Sequence, residues 1–178
     1  YTNLIKMDER VGKLINKLKK EDLYDDSYIF FYSDHGGPFP RHKRAIYETG
    51  TKVPFLVKFP GGKNEKVNKK QLLSFVDLAP TVLSIAGVKS PSEYQGFAFL
   101  GKNKSKIERE YLYTSSDRFD NVPDRIRAVR DSKFKYIRNY NPENSHALNV
   151  LYRKQMLLMR HLTSLHLTGQ LDEKSDNW

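Results

Sequence analysis

Ser33-Asp34-His35-Gly36 places an acid, an imidazole and a glycine on consecutive positions, directly after the apolar run Tyr28 to Tyr32. A buried strand ending in those residues presents an oxygen ligand and a nitrogen ligand at the carboxyl end of a sheet, where open α/β sheets place their chemistry. A carboxylate suits calcium or magnesium. An imidazole beside it either ligates a metal or donates to a substrate oxygen. Gly36 and Gly37 let the backbone turn away sharply. Eight residues past His35 comes Lys43, inside the basic run Arg41-His42-Lys43-Arg44. A lysine held there would stabilise charge on a bound oxyanion. Metal ligands at Asp34 and His35, with a catalytic cation at Lys43, suit an anionic substrate. Each piece also has a plainer reading. A strand-end Asp-His pair can simply bond to loop backbone, and a basic run can be a solvated loop.

The flanking sequence supplies elements to hold these residues. Leu4, Met7, Val11, Leu14, Ile15 and Leu18 recur at three- and four-residue steps, which predicts an amphipathic helix. A strand follows at 28–32, then an irregular loop broken by Pro38 and Pro40, then a second apolar run from Val53 to Phe59. Lys63 to Lys70 reads as a solvated charged stretch. Asp77 is expected to cap a short helix with an apolar side of Leu78, Ala79, Val82, Leu83, Ile85 and Ala86. Pro80 lies in its first turn and Gly87 ends it. Further on, Tyr111 to Thr114 reads as a strand. Arg127–Arg130 and Phe134–Arg138 read as a hairpin around Asp131-Ser132. Leu148, Leu151, Tyr152, Gln155, Met156, Met159 and Leu162 predict one last amphipathic helix, ended by Gly169.

The chain has 178 residues, a net charge of +10, a pI near 9.6 and a mean hydropathy of −0.69. Eleven Tyr and ten Phe supply core material that a disordered chain of this polarity would lack. The basic balance favours anionic partners: nucleic acid, acidic lipid or polyanionic glycan. With no cysteine there is no disulfide framework and no thiolate site. No run approaches the ~18 apolar residues of a membrane span. Both ends read as cuts through a longer protein.

The ordered segments resemble the later part of the formylglycine-dependent sulfatases, in the alkaline-phosphatase superfamily. The match runs through Met7-Asp8-Glu9-Arg10-Val11-Gly12, Ser33-Asp34-His35-Gly36, Lys43 with Tyr47-Glu48-Thr49-Gly50, Val53-Pro54 and Phe59-Pro60-Gly61. It continues in Ser74-Phe75-Val76-Asp77-Leu78-Ala79-Pro80-Thr81-Val82-Leu83 and Ala86-Gly87. The loop Pro38-Phe39-Pro40 looks most like the heparan N-sulfatase branch. The resemblance implies an α/β fold, part of an alkaline-phosphatase-like mixed sheet flanked by helices. Residues 1–104 would be the C-terminal part of the catalytic domain. Residues 105–178 would be an incomplete α+β subdomain with antiparallel strands and a helix.

By the same resemblance, Asp34 is a calcium (Ca2+) ligand, His35 lies beside metal and sulfate, and Lys43 holds the sulfate group. Arg118 and Arg125, in a cluster with Asp117, Asp124 and Arg127, are candidate contacts to a sulfated sugar; the plainer reading is a solvated loop. His146, His161 and His166 read as surface or packing residues. The partner implied is a sulfated small molecule or glycan, with no nucleic acid and no membrane span. The compartment implied is periplasmic, extracellular or lysosomal. The family's Cys- or Ser-x-Pro-Ser-Arg motif, source of the formylglycine nucleophile, is absent from this sequence. It is expected upstream of residue 1, so the fragment alone should be inactive. Two other classes stay open. One is a metal-dependent phosphodiesterase or phosphoethanolamine transferase of the same superfamily. The other is a basic module binding glycan or nucleic acid.

Overall fold

A computed structural model describes residues 1–62, 71–144 and 150–176. The expectations for Lys63–Lys70, His146 and Leu148 fall outside those residues. The chain groups into two compact units, Tyr1–His35 with Lys52–Val67, and Gly36–Thr51 with Asn68–Trp178.

The first unit opens with α1, Thr2–Lys20, the helix expected from the apolar spacing. Lys17, Lys19 and Lys20 in its last turn complement the negative end of the helix dipole. None of its side chains is buried, and Leu4, Ile5 and Leu14 are each more than half exposed. β1, Ile29–Tyr32, pairs antiparallel with β2, Phe55–Lys58, so that Tyr32 stands opposite Phe55 and Ile29 opposite Lys58. Aromatic side chains hold the ribbon: Tyr32 stacks on Phe55 at 5.6 Å, and Tyr28 meets Phe59 edge-on at 5.7 Å. The Lys58 ammonium collects the carbonyls of Tyr24, Asp25 and Ser27 and lies 4.3 Å from the Tyr24 ring centroid. Lys58 thereby ties the turn before β1 to the end of β2.

The second unit holds the loop 36–51 with its short helix α2, Glu48–Thr51. α3, Leu78–Ile85, follows a 3-10 turn at Phe75–Asp77. The helix is where expected, but two details differ. Asp77 stands at the N-cap of α3, but its side chain makes no capping bond to that helix. Its carboxylate accepts the Ser74 and Phe97 amides, each at 2.8 Å, and an Arg109 N–H at 2.6 Å. And α3 buries its hydroxyl side: Thr81 and Ser84 are inside while Val82 is exposed. The reason lies in the strand-like strap that runs past the helix. Thr81 donates to the Asp77 carbonyl at 2.6 Å and accepts the Phe99 amide at 3.1 Å; Ser84 accepts the Asn103 amide at 2.9 Å. Those strap amides would be buried without partners if the hydroxyls were absent. Gly96 and Gly101 make the close approach possible, since a Cβ on either would lie within 2.5 Å of the backbone around Val76 or Ser84.

A three-stranded antiparallel sheet completes the unit: β3, Leu112–Phe119, β4, Val122–Arg130, and β5, Lys135–Asn139, in that order. The expected hairpin around Asp131-Ser132 is present. The Asp131 carboxylate accepts the Lys133 and Phe134 amides, both at 2.6 Å, and these bonds hold its pKa below the usual value. The strands before it run longer than expected. β3 continues to Phe119 and turns through Asp120-Asn121, with Asp120 at φ 51°. The expected last helix is two, α4 at Leu151–Lys154 and α5 at Leu157–Leu167, broken at Gln155-Met156 where Met156 is extended. Gly169 follows α5 at φ 64°, and α6, Glu173–Asp176, ends the described chain. Phe119, Val150 and Val122 pack together as a small core under the hairpin.

Candidate functional site

Asp34 and His35 stand just past the end of β1, in the first unit. The Ser33 hydroxyl donates to the His35 carbonyl at 2.7 Å and fixes this turn. His35 Nε2 lies 3.5 Å from Asp34 Oδ2, and the Asp34 side chain is 81% exposed. This is a hard oxygen donor facing outward with an imidazole alongside. It fits one part of a calcium shell, which takes six to eight oxygens. Among the described residues no three His, Asp or Glu side chains gather as a metal group. A complete shell therefore needs further donors.

Lys43 belongs to the second unit, on a loop the sequence folds tightly. The Gly36 amide donates to the Gly50 carbonyl at 3.0 Å, and the Lys43 amide to the Gly37 carbonyl at 3.0 Å. A Cβ on Gly36 would stand 1.9 Å from the Thr49 carbonyl oxygen; one on Gly50 would stand 2.0 Å from that of Ala45. No residue but glycine fits either place. Arg41 and Arg44 adopt φ values of 60° and 66°, uncommon for side chains of their size. Thr49 donates its hydroxyl to the Arg41 carbonyl and closes the loop.

The loop is fastened to the sheet by charge. Glu48 meets Arg130 and Lys135, at 3.2 Å and 3.4 Å. Burial pushes the Glu48 carboxyl up, but the hydrogen bond and charge of Arg130, with those of Lys135, outweigh it and hold the carboxyl below its ordinary value. At the other end Arg44 pairs with Asp120. The guanidiniums of Arg44 and Arg153 lie 4.9 Å and 4.3 Å from the buried Phe119 ring. Lys43 Nζ lies 5.6 Å from the Tyr152 ring. Burial, and then the Arg44 charge, push Arg153 below its usual range. Three cations thus converge on two aromatic rings. A small, shallow cleft opens between Pro38, Lys43, Phe119, Tyr152 and Met156.

Of the remaining candidates, Arg118 lies beside the bulge in β3, opposite Pro123. Arg125 lies 4.8 Å from the Tyr140 ring. By strand alternation it is on the face of the sheet opposite Ile126, whose side lines a second cleft with Arg44 and Tyr47. His161 is exposed, and His166 pairs with Asp176 at 2.6 Å. Sequence reasoning missed Arg153 and Phe119. The signal was available in Asp120-Asn121, a two-residue turn type that should have extended β3 through Phe119.

Comparison with known proteins agrees with this architecture. The sulfatase family model matches residues 1–88. The chain is 48% identical over 179 residues to an ulvan-active sulfatase of Formosa agariphila, covering all of this chain and 30% of that protein. It is 38% identical over 106 residues to the N-acetylglucosamine-6-sulfatase of Bos taurus, covering 56% of this chain and 19% of that protein. A solved structure described as BT4656 in complex with its substrate D-glucosamine-2-N,6-O-disulfate superimposes with a TM-score of 0.61 at 23% identity, over 97% of this chain and 40% of that one. Residues 1–88 match part of a sulfatase domain, and the chain shares the fold of solved sulfatase structures. It spans under a third of the length of the curated relatives it matches.

Proposed function

We propose that this chain is the part of a carbohydrate sulfatase that supplies one metal ligand and the cation gripping the sulfate group. The observation that carries the reading is the 48% identity to an ulvan-active sulfatase along the whole chain. The cationic loop bearing Lys43, pinned by Glu48 and Arg44, supports it. The substrate class is a sulfated glycan, in line with relatives named for ulvan and for N-acetylglucosamine 6-sulfate. Those names favour a sulfate ester over the N-sulfate suggested by the Pro38-Phe39-Pro40 loop.

In this reading Asp34 offers its outward carboxylate to calcium, and His35 stands beside it to donate to a sulfate oxygen. Bound calcium would neutralise sulfate charge. Lys43 binds a sulfate oxygen through its ammonium and stabilises charge that develops there as the ester bond breaks. The tight turns at Gly36 and Gly50 hold the Lys43 loop in one shape, so the cation costs no reordering when substrate arrives. The nucleophile is a formylglycine supplied by sequence outside this chain, and the compartment is periplasmic, extracellular or lysosomal. The test is release of inorganic sulfate by the full-length protein from ulvan and from N-acetylglucosamine 6-sulfate, against a phosphodiester control. Sulfate release supports the reading; phosphodiester cleavage without it would favour the metal-dependent phosphodiesterases of the same superfamily.

A further inference from the structure

The outward face of the three-stranded sheet carries an arrangement that the catalytic reading does not use. Tyr113 stands opposite Val129, and Val129 opposite Tyr136, so the two tyrosines share one row across the sheet. Two strand spacings separate them, about 9.6 Å, close to the length of a disaccharide repeat in an extended chain. Both are well exposed, Tyr113 by 76% and Tyr136 by 65%. The next row on the same face carries two cations, Arg138 beside Tyr136 on β5 and Arg127 on β4, with Ser115 beside Tyr113 on β3. Arg127 stands directly opposite Arg138, a like-charge pairing that costs stability in a sheet. Asp117 offsets one of the two, 2.6 Å from Arg127. Arg138 and Arg125 lie 4.7 Å and 4.8 Å from the Tyr140 ring, which adds a third tyrosine at the edge of the patch. Nothing in the fold calls for this combination: the core side of the same strands is built from Ala128, Ile126 and Ile137, and the ties to the Lys43 loop come from Arg130 and Lys135.

We propose that this face is a docking platform for a sulfated polysaccharide chain, separate from the sulfate-cleaving site. Flat tyrosine rings lie against sugar faces, and guanidiniums take sulfate oxygens two at a time. The uncompensated positive charge selects an anionic chain over a neutral one. The platform would keep a polymeric substrate on the enzyme between cleavages. The choice of ligand rests on the sulfated-glycan reading above; the geometry of the patch does not.

The test is titration of the full-length protein with dextran sulfate, and with unsulfated dextran as the neutral control. The double variant Tyr113→Ala/Tyr136→Ala should bind dextran sulfate about tenfold or more weakly, while Tyr113→Phe/Tyr136→Phe stays near the parent. Arg138→Gln should lower the salt dependence of binding by about one charge. In case the alanine variant fails to fold, nitration of the parent by tetranitromethane gives an independent reading: both tyrosines should react, and dextran sulfate should protect them. Unchanged binding in a folded alanine variant, equal affinity for unsulfated dextran, or tyrosines shielded before polymer is added would each overturn the platform. A protein that binds dextran sulfate through these tyrosines but cleaves no sulfate ester supports the platform and ends the sulfatase reading. One that cleaves esters with binding indifferent to them does the reverse.

Discussion

Both carboxylate oxygens of Glu48 lie 3.2 Å from Nε of Arg130. This contact joins the loop that bears Lys43 to the middle strand of the three-stranded sheet, and Lys135 adds a second cation at 3.4 Å. Glu48 is 41% exposed, so solvent screens the pair and its worth is on the order of 1 kcal/mol.

The pH dependence of that contact follows from the lowered Glu48 pKa. A carboxyl with a folded value below its unfolded one stabilises the fold above the unfolded value and loses that contribution as pH falls through the folded one. Glu48→Gln should therefore melt lower than the parent above pH 4.5, the ordinary value. The gap should close as pH falls below it. Thermal unfolding of both proteins across that range checks the sign. A gap that widens in acid would contradict the assignment.

Asp77→Ala should be far more damaging. Asp77 is 2% exposed and satisfies two amides and Arg109. Its loss leaves a guanidinium, itself only 19% exposed, without its carboxylate. Removing one partner of such a buried pair costs about 3–5 kcal/mol. Urea unfolding of the full-length protein measures it, and a loss near the cost of an ordinary surface substitution would show that Arg109 finds another partner.

Gly36→Ala and Gly50→Ala should each disrupt the Lys43 loop. The added methyl meets a backbone carbonyl oxygen, which cannot swing aside as a side chain tip can. The expected cost is about 1–3 kcal/mol or more. Catalysis should fall further than stability, because the loop can open without unfolding the sheet. A structure or hydrogen-exchange profile of either variant with an undisturbed loop would refute this.

In the full-length enzyme, Asp34→Ala and Lys43→Ala should each lower turnover by roughly two orders of magnitude or more, as removal of a charge-stabilising group does. Chelation of divalent ions should abolish activity in the parent and calcium should restore it. Rates near those of the parent in either variant would take that residue out of the site.

The local order of elements was legible because it rests on short-range signals. Three-and-four spacing gave α1, the uninterrupted run Tyr28 to Tyr32 gave β1, and Pro80 with Gly87 bounded α3. What failed was the assumption that apolar side chains mark the inner side. In α3 the neighbour is a strap of backbone whose amides need acceptors, and Thr81 and Ser84 meet that need where valine could not. The roles of Asp77, Glu48 and Arg153 were also hidden. Their partners Arg109, Arg130 and Phe119 lie 32 or more residues away in sequence, and no local pattern carries such pairings. Type and spacing singled out Asp34, His35 and Lys43 but left the plainer readings open; the roles given to them rest on resemblance to a family.

The two arginines that meet the Phe119 ring give the Lys43 loop an unusual anchor. Arg44 comes from the loop itself and Arg153 from α4, so one benzene ring couples two segments more than a hundred residues apart in sequence. Trimming the ring to alanine would remove the π-surface that both cations share. The loop would keep its Asp120 pair but lose its tie to α4, so a substitution far from Lys43 would slacken the segment that carries it.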